Sequence, residues 1–255
     1  MWVILPAVSL AIVHIAGDNL AVVPDMAAIL GSSIYITTVV AYLVFGVLIT
    51  GISAWIGVKT GQELIVVVRR VFGSRGKKLM ALAIIAVCIP ASALTGGYFS
   101  GWIINAASGI PHAYSSLLCI TFFAVLATGG GNEFLRLSNY FSLLLIPALT
   151  LLAASFAFPT QPVAPVLDIG DVNWSLVLAL IGYNAGGMRP ALVVEAAAYL
   201  TRRKNKAIIL AVVAKLVEGV ITLIVAHIVI VAGTEGPMAL SGAVANRFGA
   251  HWDLL

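Results

Sequence analysis

The stretch Leu180-Ile181-Gly182-Tyr183-Asn184-Ala185-Gly186-Gly187-Met188-Arg189-Pro190 opens apolar, yet goes on to hold three glycines, an asparagine, an arginine and a proline. A counterpart lies about 165 positions earlier, where His14-Ile15-Ala16-Gly17-Asp18-Asn19 runs on to Pro24. Both carry Gly-x-Asn followed by a proline inside segments otherwise hydrophobic enough to cross a bilayer. Glycine and proline weaken the helical hydrogen-bond ladder and free backbone N–H and C=O groups that hydrocarbon cannot satisfy. Such a break is tolerated where the freed groups line a cavity or hold a ligand. Corresponding breaks in two halves of a chain point to the binding site of a secondary transporter.

Composition agrees. Apolar residues make up 61% of the 255 positions and charged residues only 9%, against roughly 25% charged in an average soluble domain. Several runs of 18 or more largely apolar residues are long enough to span a hydrocarbon core of about 30 Å. The sequence therefore reads as an all-α integral membrane protein forming a single transmembrane domain over 1–255. Met1-Trp2-Val3 offers no basic leader, so the first apolar run reads as a true span. The net charge of +4 comes from basic residues in short loops between spans, which is an orientation signal and excludes nucleic acid as a partner. Cys88 and Cys119 fall inside apolar runs and match no metal pattern.

Seven spans are expected: Trp2–Gly31, Ile34–Val58, Lys78–Ala107, Tyr114–Gly129, Tyr140–Phe158, Asn173–Leu200 and Ala207–Ala232, with a polar tail after Gly233. Arg69, Arg70, Arg75, Lys77 and Lys78 lie between spans 2 and 3, Arg136 between 4 and 5, and Arg202, Arg203, Lys204 and Lys206 between 6 and 7. The alternate loops hold no Lys or Arg except Arg247 beyond span 7. This asymmetry puts the N-terminus in the cytoplasm of a multi-pass protein of the cell's inner (plasma) membrane. The matching breaks in spans 1 and 6 start an inverted repeat of five spans plus five. On that reading spans 8–10 are absent and the chain is a C-terminally truncated fragment.

Gly57-Val58-Lys59-Thr60-Gly61 followed by Arg69-Arg70-Val71-Phe72-Gly73-Ser74-Arg75-Gly76 is the most specific local pattern. It resembles the nucleobase–cation symporter-1 family, the purine and cytosine permease-like branch of the amino acid–polyamine–cation transporter superfamily. The resemblance covers nearly the whole chain at low identity. It implies a leucine-transporter-type fold with spans 1 and 6 discontinuous, and uptake of nucleobases or related heterocycles such as hydantoins, coupled to Na⁺ or H⁺. It also implies a solute site between spans 1, 3 and 6. Ile89-Pro90-Ala91-Ser92-Ala93-Leu94-Thr95 carries no ring where that family places an aromatic, and Glu195-Ala196-Ala197-Ala198-Tyr199 stands where it has Asp-x-x-Arg. Thr60-Gly61-Gln62-Glu63 and Tyr183-Asn184 also look like other branches of the superfamily. An amino-acid or organic-acid transporter of that superfamily is therefore the alternative.

Asp18 sits about midway through span 1, where an ionised carboxylate costs several kcal/mol unless it is paired or faces water. With Ala16 and Gly17 it is the candidate cation-coupling element, and Na⁺ near Ala16 and Asp18 is the candidate metal. A fixed ion pair is the structural alternative. Asn19 and Asn184 offer donors and acceptors to a planar polar ligand, or cap a half-helix. Gly182, Gly187 and the intervening Gly186 permit unwinding or close helix packing, and Tyr183 stands beside them. Arg189 must find an anion, either Asp18 or a substrate carboxylate held by its planar fork. Thr95, with Ser92, belongs to the part of span 3 expected to face the site. These residues form the candidate substrate set, and no cofactor is called for beyond the coupling ion.

Lys215 and Glu218, spaced i,i+3, are expected to pair with each other. Asp25, after Pro24, is expected near a helix end, and Glu195 near the cytoplasmic interface. Tyr98, Phe99 and Trp102 read as interfacial anchors or an outer lid. Residues 60–72 alternate apolar and charged side chains, as an interfacial amphipathic helix or an extension of span 2 would. No His-Glu-x-x-His, Gly-x-Ser-x-Gly or paired-aspartate pattern occurs, so an enzyme is not expected. Gly129-Gly130-Gly131 lacks the Lys-Ser/Thr of a phosphate loop. A channel or a membrane scaffold subunit remains the different-class alternative.

Overall fold

The computed structural model describes residues 20–31, 33–128, 173–185, 204–234 and 239–248, and every regular element among them is helical. In chain order these are α1 (Leu20–Leu30), α2 (Ser33–Thr60), α3 (Leu64–Ala83), α4 (Ile89–Ser108), α5 (His112–Thr128), α6 (Trp174–Ala185), α7 (Lys204–Ala232) and α8 (Ala239–Phe248). Among the described residues two stretches, Ser33–Thr60 and Lys206–Ala232, are long and apolar enough to cross a membrane. They correspond to expected spans 2 and 7. Expected span 5 and most of span 1 lie outside the described residues.

The chain gathers into two compact units, one of Met1–Ile36, Ala93–Asn173 and Val220–Leu255, the other of Thr37–Ser92 and Trp174–Gly219. In the first, Val23 and Ala27 of α1 share a buried cluster with Ile34, Ala226, Val229 and Ala239. This packing explains a departure from the sequence reading. Pro24 does not interrupt the helix, which continues through Asp25 to Leu30, so Asp25 is not at a helix end. Burial of the flanking Val23 and Ala27 outweighs the backbone bond that the proline ring forgoes.

Part of the polar tail is helical. Beyond Gly233 the chain forms α8, whose Ala243 is buried against Ile228 of α7. Gly233, at φ 62°, turns the chain out of α7, and Thr234 Oγ1 donates to the Ala239 carbonyl at 2.7 Å. Elsewhere in this unit α4 and α5 pack closely. A Cβ at Gly97 would meet Ile120, and one at Gly101 would meet Ser116. Glycine is required there because the two backbones leave no room for a side chain.

In the second unit α2 and α7 run antiparallel. Ala54 and Val58 pack on Ala207, Gly51 faces Val212, and Gly46 faces Lys215. Residues Val39–Gly46 of α2 are wound as a π-helix, in which Val47 N–H reaches back to the Tyr42 carbonyl. Gly61, at φ 59°, ends α2 and donates its N–H to the Gly57 carbonyl at 2.8 Å. Extended Glu63 then starts α3, so residues 64–72 form a separate helix and not an extension of span 2. Gly73 (φ 72°, ψ −167°) breaks α3 internally.

Candidate functional site

Lys215 and Glu218 lie one turn apart on α7, near the middle of its apolar stretch. Lys215 Nζ donates to both Glu218 carboxylate oxygens, at 3.0 Å each. The side chains are only 5% and 1% exposed. Tyr42, fully buried on the π-helical stretch, places its ring under the ammonium, 5.0 Å from Nζ. Two glycines make the room. A Cβ at Gly46 would stand 2.6 Å from Lys215 Cε, and one at Gly219 would stand 2.5 Å from Leu43 Cδ2.

Burying two opposite charges costs several kcal/mol per ion before their attraction offsets it. The bidentate geometry and the negative face of the Tyr42 ring both act on that deficit. Thr38 Oγ1, buried just ahead of the π-helical stretch, has no hydrogen-bond partner among the described residues. The unit thus combines a desolvated charge pair, an aromatic ring and a stretch of unusual helix geometry. π-Helical turns recur at functional sites. The expected pairing of Lys215 with Glu218 is formed. Sequence reasoning missed Tyr42, Gly46 and Gly219, whose only signal was a tyrosine and two glycines within apolar runs.

A second polar cluster sits on the α4–α5 hairpin of the first unit. His112 Nε2 lies 2.9 Å from the Tyr98 carbonyl and 3.2 Å from Ser116 Oγ. The carbonyl can only accept, so Nε2 carries the hydrogen and shares it between the two oxygens. The His112 ring also stacks at 4.6 Å on Trp102 and meets Tyr98 edge-on at 4.7 Å. Trp102 is thereby held against the next helix, while Tyr98 remains 45% exposed. Also in the first unit, Tyr35 Oη of α2 and His227 Nδ1 of α7 share a hydrogen bond of 2.9 Å.

Of the sequence-predicted site, Ala16, Gly17, Asp18, Asn19, Gly187 and Arg189 lie outside the described residues, as do Gly186 and Glu195. Gly182, Tyr183 and Asn184 fall within α6, which is helical throughout, so the backbone is not unwound at these three positions. Gly182 is exposed, with open space where a Cβ would go. The π-helical stretch carrying Tyr42 packs against α6, which brings the helix of the predicted Gly-x-Asn to the neighbourhood of the buried pair. Ser92 and Thr95 lie within α4.

Among the described residues, no group of three or more His, Cys, Asp or Glu is placed to hold a metal ion. No protein-family model matches the chain, and neither a curated protein nor a solved structure matches it.

Proposed function

We propose that the chain belongs to a secondary active transporter that moves a small polar solute by alternating access, coupled to Na⁺ or H⁺. The solute class favoured is a nucleobase or related heterocycle of the cytosine, purine or hydantoin kind. The proposed setting is the cell's inner membrane, multi-pass, with the N-terminus cytoplasmic and a leucine-transporter-type inverted repeat. The observation that carries the reading is the buried Lys215–Glu218 pair midway along an apolar helix. A well-packed apolar pair would be as stable or more so, and ionisable residues kept inside membrane segments mark ion or solute pathways.

On this proposal Asn19 and Asn184 recognise the heterocycle edge, and Asp18 serves the coupling ion. Arg189 favours the second reading, an amino acid or organic acid held by its guanidinium fork. Substrate-dependent thermal stabilisation separates the two. The purified protein is screened against nucleobases, hydantoins, amino acids and carboxylic acids, with and without Na⁺ and at two pH values. A shift with a neutral heterocycle, lost in Asn184→Ala, is the expected result. A shift with carboxylates alone, lost in Arg189→Gln, moves the protein to the second reading. No shift with any compound under any condition sinks the transporter reading.

A further inference from the structure

α3 is the one long helix described here without a single buried residue. Its first segment, 64–72, is apolar at seven of nine positions. At helical spacing Leu64, Ile65, Val68, Val71 and Phe72 share one face, while Arg69 and Arg70 flank the other. On that apolar face Leu64, Ile65 and Val68 are half-buried, while Val71 is 66% and Phe72 71% exposed. Five basic residues, Arg69, Arg70, Arg75, Lys77 and Lys78, follow within ten positions, all exposed, and no Asp or Glu occurs between Leu64 and Ala83. The acid next to the segment, Glu63, stands at its N-terminus, where a carboxylate complements the helix dipole.

The tertiary structure adds to this charge. Packing of Val58 on Ala207 brings the end of α2 and the start of α7 together, so exposed Lys59 and Lys206 belong to the same end of the second unit as the start of α3. By contrast, Arg247 is the one basic residue among the described residues of the first unit. Gly61 and Gly73, both at positive φ, bound the segment and free its direction from the helices on either side. An apolar face that water would penalise, edged with exposed positive charge at the end of two apolar helices, fits the boundary between acyl chains and anionic headgroups.

We propose that residues 64–72, with Arg75, Lys77 and Lys78 beside them, dock on the membrane surface by binding anionic phospholipid headgroups, with Val71 and Phe72 immersed below them. The inference rests on the membrane reading given above. Charge complementarity selects the anionic headgroup over a neutral one, and each basic side chain is worth roughly fivefold in partition.

The full chain, carrying Phe72→Cys in a Cys88→Ala/Cys119→Ala background, is labelled with a nitroxide and reconstituted in nanodiscs. The discs are phosphatidylcholine alone or with about 30 mol % phosphatidylglycerol, a composition chosen so that the surface charge is felt within a Debye length. The label is expected to be shielded from a neutral water-soluble relaxant in anionic discs and accessible in neutral ones. Adding Arg69→Gln/Arg70→Gln/Arg75→Gln restores access roughly fivefold or more. A label equally accessible in both lipids, in a chain that alkaline carbonate does not extract, overturns the proposal and leaves the membrane reading standing. A chain that carbonate extracts overturns both.

Discussion

The ammonium of Lys215 is held at 3.0 Å from both carboxylate oxygens of Glu218, its neighbour one turn further along the same apolar helix. With both side chains almost fully buried, neither charge has bulk water to fall back on. Removing one partner leaves the other charge buried without its bidentate counter-ion. Glu218→Gln is therefore expected to destabilise the protein by about 3–5 kcal/mol, whereas Lys215→Met/Glu218→Leu returns it to the parent stability or above. Unfolding in mixed micelles measures both. On the transporter reading, the double variant folds and yet loses solute-dependent stabilisation. Retention of that stabilisation makes the pair structural.

Glycines in this region differ by what surrounds them. Gly46→Ala pushes a methyl group onto the Lys215 stem, and Gly219→Ala pushes one onto Leu43 and Tyr42. Each is expected to cost about 1–3 kcal/mol through overpacking. Gly182 meets open space and is helical, so Gly182→Ala is expected to gain about 0.5–1 kcal/mol from helix propensity. Thermal denaturation of the three single variants checks the opposite signs.

The two turns around the basic segment depend on backbone conformation. Gly73, at φ 72° and ψ −167°, occupies a region open almost only to glycine, and Gly73→Ala is expected to cost about 1–3 kcal/mol. Gly61 is left-handed helical, so Gly61→Ala costs about 1–2 kcal/mol while Gly61→Asn costs less. The same melts, with Gly61→Asn falling no further than Gly61→Ala, decide it.

On the α4–α5 hairpin, the imidazole of His112 joins the Tyr98 carbonyl, Ser116 and two aromatic rings. His112→Ala is expected to destabilise by about 1–3 kcal/mol. Trp102 Nε1 is buried without a hydrogen-bond partner among the described residues, so Trp102→Phe keeps the stacking, removes an unsatisfied donor and shifts stability by less than about 1 kcal/mol. Equal losses in the two variants would contradict this division of roles.

Much of the helical layout was legible from hydrophobicity alone. Expected span 2, Ile34–Val58, lies within the helix Ser33–Thr60, and expected span 7 ends with α7 at Ala232. Runs of apolar residues ended by Gly31, Gly61 and Gly233 suffice, because glycine accepts most readily the positive φ that turns the chain there. The i,i+3 meeting of Lys215 and Glu218 was legible for the same local reason, since helical spacing by itself puts the two side chains on one face.

What only the tertiary structure decided lies in contacts between segments distant in sequence. Pro24 reads as a breaker, yet α1 runs through it because Val23 and Ala27 are buried against α7 and α8. The tail after Gly233 reads as polar, yet Ala239 and Ala243 find buried partners on α7. The place of Tyr42 under Lys215 depends on the register of α2 against α7, which glycines at 46 and 219 permit and no local pattern announces. Local periodicity specifies which face of a helix is apolar; which other helix covers that face is settled only when the backbones approach closely enough for their side chains to exclude one another.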